Sequence, residues 1–90
     1  MNISLKSLEV AYEILCYTTK KQISPTVEEV GRLSGLKTRN AVYNHLNRLK
    51  ETGIVTWEAG EARTLKVLQP DYVRSEYLAA VQKKKEDYVY

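Results

Sequence analysis

The stretch SPTVEEVGRLSGLKTRNAVYNHLNRLKETG, residues 24–53, decides how this chain folds. Pro25 biases Ser24 toward an extended backbone. Thr26 and Glu29 then stand in the S/T-x-x-E spacing of a capping box, where hydroxyl and carboxylate each satisfy a backbone N–H left open by the first helical turn. The helix that follows runs through Val27, Val30 and Leu33 and is expected to stop at Gly35, a residue suited to the left-handed C-terminal position. Only Gly35-Leu36-Lys37 separates it from a second helix, capped by Thr38 or, in a looser reading, by Lys37. There Val42, Leu46 and Leu49 recur every three to four residues, and Gly53 ends the run. Two short helices joined by a three-residue turn containing glycine make a helix-turn-helix.

Outward from that pair, residues 5–19 read as a first helix. Its expected apolar stripe is Leu5, Leu8, Ala11, Tyr12 and Leu15, with Glu9 and Glu13 off it and Lys20-Lys21-Gln22 as a polar loop. Beyond Gly53 the period changes. Ile54-Val55-Thr56-Trp57 and Leu65-Lys66-Val67-Leu68 flank the turn-like Ala59-Gly60-Glu61-Ala62, the pattern of a β-hairpin. Pro70-Asp71 opens a last helix over roughly 71–87. The expected fold is mainly α with a small β-hairpin: a winged helix-turn-helix, three helices plus a wing, with an extra C-terminal helix.

Composition narrows the function. Ninety residues make one domain with a modest core, and 43% hydrophobic with 28% charged residues suits a folded, soluble chain. The net charge of +3 is concentrated: residues 37–50 hold Lys37, Arg39, Arg48 and Lys50 and no acid, whereas bases and acids cancel in residues 70–90. Lys83-Lys84-Lys85 is the one charge run. Enzymatic chemistry has little to stand on, because the single histidine, His45, lacks a nucleophile or carboxylate at a usable spacing, and the four glycines build no phosphate loop. His45 is expected to be a packing residue. No cofactor, metal or small-molecule ligand is expected. The single cysteine, Cys16, excludes an internal disulfide and is expected to be a small buried hydrophobe. The N-terminus lacks the apolar run of a signal peptide and no segment approaches the ~20 apolar residues of a membrane span, so a reduced, cytoplasmic location is expected.

If Val42, Leu46 and Leu49 face the core, the opposite face of their helix presents Asn40, Tyr43, Asn44 and Asn47. Asparagine bonds an adenine edge in bidentate fashion, and tyrosine meets a thymine methyl or a phosphate. Each asparagine costs a helix interior roughly 0.6 kcal/mol relative to alanine, so three on one face are an unforced expense for solubility alone. The expected DNA-contacting set is therefore Asn40, Tyr43, Asn44 and Asn47 for bases. Lys37, Thr38, Arg39, Arg48, Lys50 and Thr26 would hold phosphates, and Arg63 beside the wing tip a phosphate or the minor groove. Glu58 and Glu61 would repel phosphates and argue against deep wing insertion. Trp57 is expected in the core between hairpin and helices.

Taken in order, Ser24-Pro25-Thr26-x-x-Glu29-Val30, Gly35-Leu36, Asn40-Ala41, His45-Leu46, Leu49, Gly53-Ile54 and Gly60-x-x-Arg63 resemble the DNA-binding domain of LexA-type repressors over about residues 5–68. The resemblance implies a sequence-specific, double-stranded-DNA-binding transcriptional regulator, with residues 1–69 as the DNA-binding unit and 70–90 as an added element. Tyr43 and Asn44 stand where that family often carries acidic residues, which implies a different base preference. The family's self-cleaving peptidase domain with its Ser–Lys pair has no counterpart here, so self-cleavage is not expected. For the last helix two arrangements are open. Tyr72, Val73, Tyr77, Leu78 and Val81 either pair with a second copy in a homodimer, the favoured expectation, or fold back on the first helix. The alternative function is a winged-helix protein-interaction module docking a partner through the same face or the tyrosine-rich tail.

Overall fold

The first helix, α1 (Leu5–Lys21), starts where the Ser4 hydroxyl accepts the Ser7 N–H. It runs two residues into the expected loop, and Lys20 and Lys21 fall in its last turn, where positive charge suits the helix C-terminus. Gln22 closes it in the left-handed conformation (φ 62°), its N–H donating to the Thr18 carbonyl. A glycine is the usual signal for such a cap. A glutamine carries no such signal.

The computed structural model describes residues 3–87. After α1 come α2 (Val27–Leu33), α3 (Arg39–Glu51), β1 (Val55–Thr56), β2 (Lys66–Val67) and α4 (Pro70–Asp87). This is the winged helix-turn-helix order with one helix added. The two strands pair antiparallel with Val55 opposite Val67 and Thr56 opposite Lys66. Among the described residues no helix is long and apolar enough to cross a membrane.

The capping box forms as its spacing requires: the Glu29 N–H donates to Thr26 Oγ1 and the Thr26 N–H to Glu29 Oε1 at 2.8 Å. At the other end of α2, Gly35 adopts φ 69° and the Leu36 N–H reaches back to the Gly31 carbonyl at 2.8 Å. That turn swings the chain into α3, whose cap is Thr38, its hydroxyl accepting the Ala41 N–H. Gly31 lets the two helices approach closely, since a Cβ there would stand 3.2 Å from Val42 Cγ2.

The core gathers Val10, Ala11 and Ile14 of α1, Val30 of α2, and Val42, Leu46 and Leu49 of α3. Ile54, Val55 and Leu65 of the hairpin and Val73 of α4 complete it. The innermost face of α1 is thus Ser7, Val10, Ala11 and Ile14, rotated from the expected stripe. Leu5 lies half a turn from Ile14 at ~100° per residue and is exposed. Leu8, Tyr12 and Leu15 occupy the adjoining face toward α4, where Tyr12 stacks on Tyr77 with ring centroids 4.3 Å apart. Helix α1 is buried on two sides because it is sandwiched between α3 and α4. Cys16, one turn beyond Tyr12 at the outer edge of that second face, is exposed. The expectation of a buried cysteine is corrected accordingly.

His45 is a packing residue with a satisfied ring. Its Nδ1 lies 2.8 Å from Ser7 Oγ, and burial, reinforced by Lys6 and Arg48 nearby, pushes its pKa down.

Candidate nucleic-acid interface

Burying Val42, Leu46 and Leu49 turns the other side of α3 outward, and Asn40, Asn44, Asn47 and Arg48 are all exposed there. At ~100° per residue these four span a single face centred on Asn44. Lys37, Thr38 and Arg39 extend it at the N-terminal end and Lys50 at the other. The first turn of α3 holds no acid. Tyr43 belongs to the shoulder of this face: it is half-buried, its ring tilted 57° to that of Trp57 at 6.3 Å. Trp57 is itself half-buried against the core, and Lys50 Nζ lies 4.5 Å above its ring. Tyr43, Trp57 and Lys50 therefore join the outward face of α3 to the wing.

The other basic residues divide by their partners. Arg39 reaches across the turn to Glu28 at 2.5 Å, an ion pair exposed on both sides. Arg63 folds back from the wing: Nη1 donates to the Ser24 carbonyl at 3.0 Å and to Glu29 Oε1 at 3.1 Å, and Nη2 to Glu29 Oε2 at 3.3 Å. Among the described residues no carboxylate pairs with Lys37 or Arg48. Thr26 spends its hydroxyl on the capping box.

Glu29 is the most heavily engaged polar side chain of the region. The Thr26 N–H, the Arg63 guanidinium and the Tyr17 hydroxyl all converge on its carboxylate, and they lower its pKa to about 2 against the cost of desolvation. The capping role was legible in the spacing. The attachments to Tyr17 and Arg63 were not, because they join residues 12 and 34 positions away.

A groove of about 410 Å³ separates α2 and α3 from the wing, with Thr26, Arg39 and Tyr43 on one wall and Trp57, Glu58 and Glu61 on the other. The tip is acidic, as Glu58 and Glu61 are exposed.

Helix α4 does not stand apart. Val73, expected at a dimer or partner contact, is fully buried in the chain's own core. Tyr72 and Tyr77, expected at the same contact, are half-buried, Tyr72 against that core and Tyr77 on Tyr12. Leu78 and Val81 are the two of that set left exposed. Within this chain α4 packs back on α1.

Comparison with known proteins agrees with this architecture. The chain is 30% identical over 46 residues to the LexA repressor of Moorella thermoacetica, covering 51% of this chain and 22% of that protein. To the transcription regulator LexA of Synechocystis sp. it is 31% identical over 55 residues, 61% of this chain and 27% of the relative. To the LexA repressor of Koribacter versatilis it is 32% identical over 60 residues, 66% and 29% respectively. The chain thus spans less than a third of the length of these curated relatives. The family model described as the LexA DNA binding domain matches residues 6–64, from the first turn of α1 into the wing, and this chain belongs to that family.

Proposed function

We propose that this protein is a sequence-specific double-stranded-DNA-binding transcriptional regulator, acting as a repressor by occupying promoter DNA, with α3 read into the major groove. The observation that carries the reading is the outward face of α3: three asparagines and Arg48, all exposed, with no acid before Glu51 at the helix's C-terminal end, opposite a fully buried apolar face. A helix presented in this way offers bidentate donors and acceptors to base edges, while Lys37 and Arg48 at its two ends hold phosphates. In this reading Asn40, Asn44 and Asn47 specify sequence. Tyr43, braced by Trp57, supplies a thymine-methyl or phosphate contact, and Thr38 and Lys50 assist at the backbone. Arg39 reaches a phosphate by exchanging Glu28 for it, which an exposed pair permits at little cost. The repressor role is supported by the relatives, which are named repressors or transcription regulators.

A salt titration of binding to duplex DNA tests it. With three to five phosphate contacts, log affinity falls linearly with log salt with a slope of about −3 to −4.5. Absence of duplex binding at low salt refutes the proposal. Selection of bound duplexes from a random pool then identifies the site, and symmetry among the winners reports two copies acting together.

A further inference from the structure

We propose that Arg63 is a positioning residue: it clasps the wing to the start of α2 through Glu29 and so sets the wing's height beside the α3 face. The inference rests on the DNA-binding reading for its consequence but not for its geometry.

The base of the wing is held by Leu65 in the core and by Trp57 beside Tyr43 and Lys50, but its tip has little else to hold it. Each strand is two residues long, and the ladder ends at the Thr56–Lys66 pair. Beyond it, residues 57–65 are tied internally by the Glu58 N–H donating to Thr64 Oγ1 and the Glu61 N–H donating to the Glu58 carbonyl. Neither bond fixes the tip to the helices. The Arg63 guanidinium does. It bridges 34 residues to Glu29 with two parallel bonds, a geometry that defines direction as well as distance, and adds a third to the Ser24 carbonyl. Its acceptor is itself immobilised by the Thr26 N–H and the Tyr17 hydroxyl, so α1, α2 and the wing meet at one carboxylate.

The backbone makes the same point. Arg63 sits at φ 59°, a conformation that glycine or asparagine adopts more readily than arginine. An arginine there gains nothing from the turn, and its side chain carries the reason for it. A phosphate contact would require Arg63 to release Glu29, leaving an ionised carboxylate facing the DNA backbone beside the acidic tip at Glu58 and Glu61. The geometry favours the clasp.

The test uses Arg63→Gly, which suits the backbone and deletes the side chain, Glu29→Gln, which keeps the capping-box acceptor and removes the charge, the double variant, and Arg63→Lys. All are compared with the wild-type chain where circular dichroism shows full folding. In the free protein, amide exchange and 15N relaxation of residues 58–64 should show a more mobile wing in both single variants. The double variant should be no worse than either, the α3 amides unchanged, and Arg63→Lys should restore wing order in part. Unaltered wing order in Arg63→Gly overturns the proposal. On duplex DNA both single variants should lose about two- to fivefold in affinity, the scale of a single well-anchored surface ion pair, with the salt slope unchanged. A slope reduced by about 0.9 in Arg63→Gly alone, with Glu29→Gln binding as well as wild type or better, marks a phosphate contact and overturns it too. If wild type binds no duplex, the DNA-binding reading fails, and the wing measurements in the free protein still decide the clasp.

Discussion

Gly31→Ala is a sharp test of how the helix-turn-helix is held. Two opposing effects meet at this position. Alanine is favoured over glycine inside a helix by about 1 kcal/mol, and Gly31 lies well within α2, so propensity alone predicts stabilisation. Against it, the added methyl would stand 3.2 Å from Val42 Cγ2 and 3.3 Å from the Leu36 carbonyl oxygen. Neither neighbour yields easily. Val42 is buried and β-branched, with one favoured rotamer in a helix. The Leu36 carbonyl belongs to a turn already tied to Gly31 by the Leu36 N–H. Overpacking of this kind costs about 1–3 kcal/mol, so the net expectation is about 1 kcal/mol of destabilisation and a Tm lowered by roughly 4–8 °C in a domain of this size. The effect must also depend on Val42. In a Val42→Ala background the clash with Cγ2 is gone and only the Leu36 carbonyl contact remains, so the penalty of Gly31→Ala shrinks. Thermal unfolding of wild type, the two single variants and the double variant, followed by circular dichroism, measures the coupling. A Gly31→Ala variant that melts above wild type, or a penalty undiminished in the Val42→Ala background, refutes the account of close packing between α2 and α3.

Three further outcomes are expected. Asn44→Ala should cost about 1–3 kcal/mol at the selected site and little on random duplex, whereas Arg48→Ala should weaken all sequences alike and reduce the salt slope by about 0.9; equal behaviour of the two would refute the division between base reading and phosphate anchoring. Glu29 has a pKa of about 2 in the folded chain against 4.5 for the free side chain, so its contribution to stability is complete above about pH 4.5 and is lost as pH falls toward 2. The Tm difference between wild type and Glu29→Gln should therefore shrink over that window, and a constant difference would count against the ion-paired carboxylate. Cys16, being exposed on α1, should react with a thiol reagent in the native state at a rate close to that of the unfolded chain; protection by more than about tenfold would contradict its position.

What the sequence made legible is mostly local. The capping box at Thr26, the Thr38 cap, the left-handed glycines at 35 and 53 and the buried face of α3 all follow from spacings of three or four residues. Long-range pairing is where reading stopped. The apolar stripe chosen for α1 was one of two adjoining faces, and no periodicity distinguishes a helix with one packed side from a helix with two. That ambiguity misplaced Leu5, left Val10 and Ile14 unremarked, and made Cys16 look buried. The tail suffered for the same reason: without knowing that α1 offers Tyr12 a partner, Tyr77 looked free for a second copy. The asparagine face of α3 was readable from the spacing of Val42, Leu46 and Leu49. The commitments of Arg39 to Glu28, Arg63 to Glu29 and Lys50 to Trp57 were not, since each joins residues on different elements.

The sandwiching of α1 bears on how this unit travels between proteins. A designer fusing it to another chain would naturally cut at Pro70, where the winged part ends and the last helix begins. That cut removes Val73 from the core and uncovers the Tyr12 side of α1, leaving a sticky strip along the helix around which the rest is built. Such a fragment would self-associate through a surface absent from the parent. The portable module therefore extends through Tyr77 at least, and the cut belongs beyond the stacked tyrosines.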